Sequence, residues 1–185
     1  MSDVRRDYAL LAYLAERVGD SSGAGKKALQ KIVHLMTRMA GVESKYEFDL
    51  YTYGPFSRDL AEDMDLLSTS NVLDISYDPA QRSYHIKKGA DGDVIIAQYT
   101  DFLREVEGKS GEILEFFSGK SARTLEMYST LFFVIDRKLV GDVDDDEAVI
   151  DKFLEIKPKY SQAEAERGLV ALRRLIESVD HSPSE

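Results

Sequence analysis

The sequence predicts a mostly α protein with a small antiparallel sheet. Three observations carry this. Apolar residues recur at helical spacing through most of the chain, only three short stretches alternate with a period of two, and the order is helix, helix, strand, helix, strand, strand before helices alone. A three-helix unit capped by a small antiparallel sheet is the winged helix-turn-helix plan. Residues 1–92 are therefore read as a winged-helix-like domain, and residues 93–185 as a helical C-terminal region packed on it.

Tyr8, Leu11, Leu14 and Val18 set the stripe of a first helix that ends near Gly19, and Asp20 to Gly25 form a turn. A second helix is predicted over Lys26 to Ala40, with Leu29, Ile32, Val33, Met36 and Met39 on its buried face and Gly41 just past its end. Lys27, Lys31, His34 and Arg38 step along the opposite side as one cationic stripe.

The stretch from Lys45 to Leu67 organises the rest of the chain. Tyr46, Phe48, Leu50 and Thr52 alternate with Glu47, Asp49, Tyr51 and Tyr53, the pattern of a half-buried strand. Gly54-Pro55 ends it, since proline has no N–H for a ladder. Ser57 is placed to cap a third helix, with Asp59 in its first turn. Leu60, Met64 and Leu67 form its narrow apolar stripe; Arg58, Glu62 and Asp65, flanked by Asp59 and Asp63, face away. From Arg58 to Leu67 there are one positive and four negative residues, a net of −3.

Val72 to Tyr77 and Arg82 to Lys88 read as two strands of a hairpin around Asp78-Pro79-Ala80-Gln81. Gly89 to Asp93 breaks the pattern and marks the boundary. Beyond it, helices are predicted over Val94 to Glu107, around Ile113 to Phe117, over Ala122 to Leu139 after a Ser121 cap, and over Ala148 to Ile156 behind acids from Asp144 to Glu147. The third of these is apolar nearly all round, which makes it the central helix of this half. Ser161 and Glu164 form a capping-box pattern ahead of a last helix striped by Ala165, Leu169, Leu172, Ile176 and Val179, and the tail from Asp180 is expected to fray.

Composition narrows the function classes. With 43% hydrophobic residues and 10% aromatics the chain is of ordinary globular make-up, and without cysteine it has neither disulfides nor thiolate chemistry. The first twenty residues read as an amphipathic helix rather than a signal peptide, and no apolar run approaches the roughly 20 residues of a membrane span. A cytoplasmic protein without a membrane partner is expected. The net charge of −10 is uneven: residues 1–92 hold 12 basic and 14 acidic residues, and residues 93–185 hold 12 and 20. Such a charge argues against indiscriminate nucleic-acid binding but leaves room for a local basic stripe.

Motifs for chemistry fail on their spacing. Gly23-Ala24-Gly25-Lys26-Lys27 lacks the first glycine, the hydroxyl residue and the preceding strand of a phosphate loop. Asp142, Asp144 and Asp146 start like a calcium loop, but Glu147 and Phe153 stand where its glycine and bidentate glutamate belong. His34, His85 and His181 share no metal-binding spacing. No catalytic residue, metal or cofactor is assigned, and an enzyme, as a small metal hydrolase built from scattered carboxylates, is the outside reading.

Two segments resemble a known family. KALQKIVHLM from Lys27 to Met36, followed by YEFDLYTYGPFSRDLAEDMDLL, is similar to the YwgA-like family and more distantly to Panacea-type domains, which share a Leu-Gln-Lys helix and a Tyr-Gly-Pro-Tyr-Ser turn. Lys157-Pro158-Lys159-Tyr160 also resembles the family's C-terminal part, while His34 and Phe56 stand where the pattern has tyrosine. The resemblance implies a winged-helix-like fold without a known active site and, through Panacea domains, antitoxin-like partner proteins.

The expectation is a non-enzymatic protein-interaction or regulatory module. Its partner is a protein, and its surface is Tyr51, Tyr53, Gly54, Pro55, Ser57, Arg58, Glu62 and Asp65. Acidic Glu62, Asp63 and Asp65 make the third helix a poor reader of DNA. The alternative is a DNA-binding transcriptional regulator that sets Lys27, Lys31, His34 and Arg38 on phosphates and uses Arg82, Lys87 and Lys88 as a wing.

Overall fold

The computed structural model describes residues 3–18, 25–80 and 82–180. The turn from Asp20 to Ala24, Gln81, His181 and the tail beyond it lie outside the described residues. The elements run α1 (Val4–Val18), α2 (Lys26–Met39), β1 (Asp49–Tyr51), β2 (Gly54–Phe56), α3 (Arg58–Thr69), β3 (Leu73–Asp78), β4 (Ser83–Lys88), α4 (Gly92–Gln98), α5 (Thr100–Phe117), α6 (Ala122–Asp136), α7 (Asp146–Ile156) and α8 (Gln162–Asp180). The chain is mostly helical with two small antiparallel sheets.

The stretch predicted as one strand ending at Gly-Pro is instead a hairpin. β1 pairs with β2 so that Leu50 opposes Pro55 and Tyr51 opposes Gly54, with Thr52 and Tyr53 at the tip. Gly54 makes the return possible at φ +86°, a left-handed conformation that costs glycine little. Pro55 lies in the second strand, where a missing N–H is tolerated at a sheet edge. The other hairpin pairs β3 with β4, Ile75 opposite Ile86 and Tyr77 opposite Tyr84, and the two hairpins are separate sheets.

Helix boundaries follow their caps. The Ser57 hydroxyl accepts from the Leu60 N–H, Ser121 Oγ accepts from Thr124 N–H at 3.2 Å, and Asp145 accepts from Glu147 and Ala148 N–H at the start of α7. Ser161 and Glu164 cap reciprocally: Ser161 N–H donates to Glu164 Oε2 at 2.8 Å, and Glu164 N–H donates to Ser161 Oγ at 3.3 Å. The helical break expected between 107 and 113 falls instead at Tyr99, between α4 and α5. Gly108 and Gly111 stay inside α5 because Leu103, Val106, Ile113, Leu114 and Phe117 make one buried stripe, whose burial outweighs roughly 1 kcal/mol of helix propensity per glycine.

The core is continuous through both halves of the chain. Leu10, Leu14, Ile32, Met36, Phe48, Leu60 and Met64 join Phe117, Leu125, Leu131, Phe153 and Leu169 in one buried cluster. α6 is buried from Ser129 to Val134 and packs against α2, α7, α8 and β2. α2 is buried without interruption from Ala28 to Met36, so Lys31 and His34 of the expected cationic stripe lie under cover and not on an open far side. No helix among the described residues is long and apolar enough to cross a membrane.

Candidate functional site

The site is built around the β1–β2 hairpin, whose backbone is held by side chains rather than by further strands. Gln30 brackets Ser57, donating to its carbonyl at 2.8 Å and accepting from its N–H at 2.8 Å. Lys31 Nζ donates to the Pro55 carbonyl at 2.6 Å, Lys157 Nζ to the Thr52 carbonyl at 2.5 Å, and Arg137 to the Phe48 carbonyl at 3.0 Å. Backbone carbonyls turned away from solvent require donors, and long cationic side chains supply them here.

These lysines share one counter-ion. Glu126 on α6 is buried and lies 2.9 Å from Lys157 Nζ and 2.9 Å from Lys159 Nζ. Burial acts to raise its pKa, but the hydrogen bonds and charges of the two lysines prevail and hold it below the usual carboxylate range. Lys31 is only 3% exposed, and desolvation lowers its pKa to about 8 against the attraction of Glu126. Tyr160 closes this corner by donating its hydroxyl to the Arg123 carbonyl at 2.8 Å. The Lys157-Pro158-Lys159-Tyr160 segment thus clamps the hairpin from the far end of the chain.

Over this support opens a groove of about 290 Å³ between α2, α3 and the hairpin. Tyr51, Tyr53, Phe56, Ala61 and Met64 supply its apolar walls, and Lys26, Lys27, Gln30 and Lys31 line it from α2. Tyr51 and Tyr53 are 52% and 53% exposed. Lys27 Nζ sits 3.7 Å above the Tyr53 ring, and the Tyr51 ring leans on Phe56 at 5.3 Å. Lys26 pairs with Asp65 and lies 5.2 Å from the ring of Tyr84, which packs at a tilt against Tyr77. An aromatic and basic band therefore runs from the hairpin tip to the β3–β4 hairpin. Gly25 permits that approach, since a Cβ there would lie 1.8 Å from the Tyr84 carbonyl oxygen. Packing thereby accounts for this glycine of the Gly-Ala-Gly-Lys stretch.

The candidate residues divide sharply. Tyr51, Tyr53, Arg58, Glu62 and Asp65 are exposed, but Gly54, Pro55 and Ser57 are buried and shape the surface from below instead of forming it. Asp63, counted with the acidic face, is buried: it accepts from Tyr46 Oη at 2.9 Å and Tyr8 Oη at 3.4 Å and pairs with Lys45 at 2.6 Å. The outward charge of α3 is correspondingly less negative.

The cationic stripe is not an open face. His34 is 1% exposed among Phe48, Phe132 and Phe133, and desolvation with nearby cations lowers its pKa to about 3. Arg38 makes a two-pronged bond to Asp136, at 3.1 and 2.9 Å, and only Lys27 of the stripe is exposed without an ion pair to an acid among the described residues. On the expected wing, Lys88 is tied to Glu16 and Asp93, while Arg82 and Lys87 are exposed. The missed signal was Leu35: an apolar residue four positions after Lys31 marks that side of α2 as covered. Also missed was Asp7, 0% exposed on α1, whose carboxyl burial pushes up to about 6 against the pull of Lys45 and Arg6.

Comparison of the chain with protein families, with characterised proteins and with solved structures finds no match.

Proposed function

We propose that this protein is a non-enzymatic protein-interaction or regulatory module on a winged-helix scaffold, binding a protein partner through the tip of the β1–β2 hairpin and the groove beside it. The observation that carries the reading is a pair of half-exposed tyrosines on a hairpin whose backbone is fixed by three side chains, Gln30 and Lys31 of α2 and Lys157 before α8. Aromatic side chains held rigidly beside an apolar groove lose little entropy on binding, which is what interface anchors require. Arg58, Glu62 and Asp65 form the polar rim. The resemblance to YwgA-like and Panacea-type domains points the same way, toward an antitoxin-like role.

The burial of Lys31 and His34 and the pairing of Arg38 and Lys88 favour this reading over the DNA-binding one, because each leaves fewer cations to meet phosphates. The test is a pull-down from lysate of the source organism with nuclease present, comparing the wild-type chain with the Tyr53→Ala, Arg58→Glu double variant. A stoichiometric protein captured by the wild type and lost by the variant, with the circular dichroism of the two unchanged, is the expected result. Equal capture by both removes the hairpin from the interface, and nucleic acid that co-purifies and is released by salt moves the function to DNA.

A further inference from the structure

We infer that the groove receives a short acidic segment of the partner protein, which seats one bulky apolar side chain against Tyr53, Phe56 and Met64 and turns its carboxylates toward Lys27. This rests on the interaction reading above and adds the chemistry of the partner.

Charge complementarity carries it. The molecule has a net charge of −10, yet the residues that line the groove include three lysines and no aspartate or glutamate. Lys26 is matched by Asp65, whereas Lys27 rests on the Tyr53 ring, a contact that orients its ammonium without neutralising it. Lys31 is buried and committed to the Pro55 carbonyl, and beneath the floor Lys157 and Lys159 share the single carboxylate of Glu126. The groove is thus a local positive site on a molecule of net negative charge, and Lys27 in it is placed to attract an anion.

Size and composition select a peptide. A volume of about 290 Å³ lies at the low end of ligand-site sizes and suits one or two side chains. The apolar walls take the side chain, and one or two carboxylates satisfy the available charge. Nucleic acid would carry a run of phosphates across the neighbouring surface, where Asp59, Glu62 and Asp65 of α3 stand exposed, whereas a short segment with one or two carboxylates at Lys27 does not have to cross those acids.

The experiment is selection of a displayed random dodecapeptide library on the intact protein, followed by fluorescence anisotropy with the synthesised, labelled winner. Enrichment of a large apolar residue flanked by Asp or Glu is expected, with binding weakened at least ten-fold by Tyr53→Ala and by Lys27→Glu, and restored toward Lys27→Glu when the peptide's carboxylates are exchanged for lysine. Enrichment of neutral or basic peptides whose binding still depends on Tyr53 keeps the interaction surface and overturns the acidic partner. No enrichment, binding indifferent to Tyr53→Ala, or tighter binding of a labelled dT12 oligonucleotide than of any peptide overturns both.

Discussion

Two buried ionisable side chains make opposite demands on pH. The Asp7 carboxyl is raised to about 6 in the fold from an ordinary value near 3.8, so folding favours its protonated form, and its contribution to stability falls as pH rises from about 4 to 6. His34, lowered to about 3 from an ordinary 6.5, is kept neutral among phenylalanines, and its contribution falls as pH drops below about 6.5. Between about pH 4 and 6 the two slopes oppose, each near 1.4 kcal/mol per pH unit. In urea titrations at several pH values, Asp7→Asn should therefore gain on the wild type by up to about 3 kcal/mol between pH 4 and 7. His34→Leu should instead gain on it as pH falls from 6.5 to 4. The constant packing cost of either substitution does not alter these slopes. Arg6, Lys45, Asp63 and Tyr8 surround the first group, and Lys31, Arg38 and Arg137 the second. Their charges are common to wild type and variant, so the comparison isolates the group removed.

At the scale of the element, the β1–β2 hairpin is the least self-sufficient part of the fold. Two strands of three residues do not hold together alone, and this pair depends on Gln30, Lys31 and Lys157 for hydrogen bonds that a third strand would otherwise supply. Gly54 is its hinge. Alanine there would take a positive φ and bring its Cβ to 2.8 Å from Thr130 Oγ1. Gly54→Ala is expected to cost about 1–3 kcal/mol of stability in denaturant titration and to weaken partner binding as well, because strain at the turn displaces Tyr51 and Tyr53 together. Retained binding with lowered stability would separate the tip from the interface.

For the molecule as a whole, Glu126 joins what the sequence divides. It stands on α6, receives Lys157 and Lys159 from the segment before α8, and stabilises the charge of Lys31 on α2. Removing it leaves buried ammonium groups without a counter-charge, so Glu126→Ala is expected to lower stability by about 3 kcal/mol. Lys157→Met in the same chain should recover part of that loss, since an unpaired buried charge costs more than a missing pair. Additive losses in a double-mutant cycle would show that the two groups do not act as a pair.

Much was legible locally. Ser57, Ser121 and the Ser161–Glu164 box capped the helices where their spacing said, and the alternation of Ile75, Tyr77, Tyr84 and Ile86 placed the second hairpin, because caps and pleats are satisfied within a few residues of chain. Tyr51 and Tyr53 were readable as exposed for the same reason. What the sequence determined alone was the helical class and the exposure of Tyr51 and Tyr53, while the hairpin that carries them came only with the fold. Tertiary structure decided the rest: α6, apolar nearly all round, needed cover, and α2 supplied it with the side that carries Lys31 and His34. A polar residue on a helix reads as solvated until its neighbours are known. Only the fold, by bringing Pro55, Thr52 and Glu126 to these lysines, made burial cheaper than exposure.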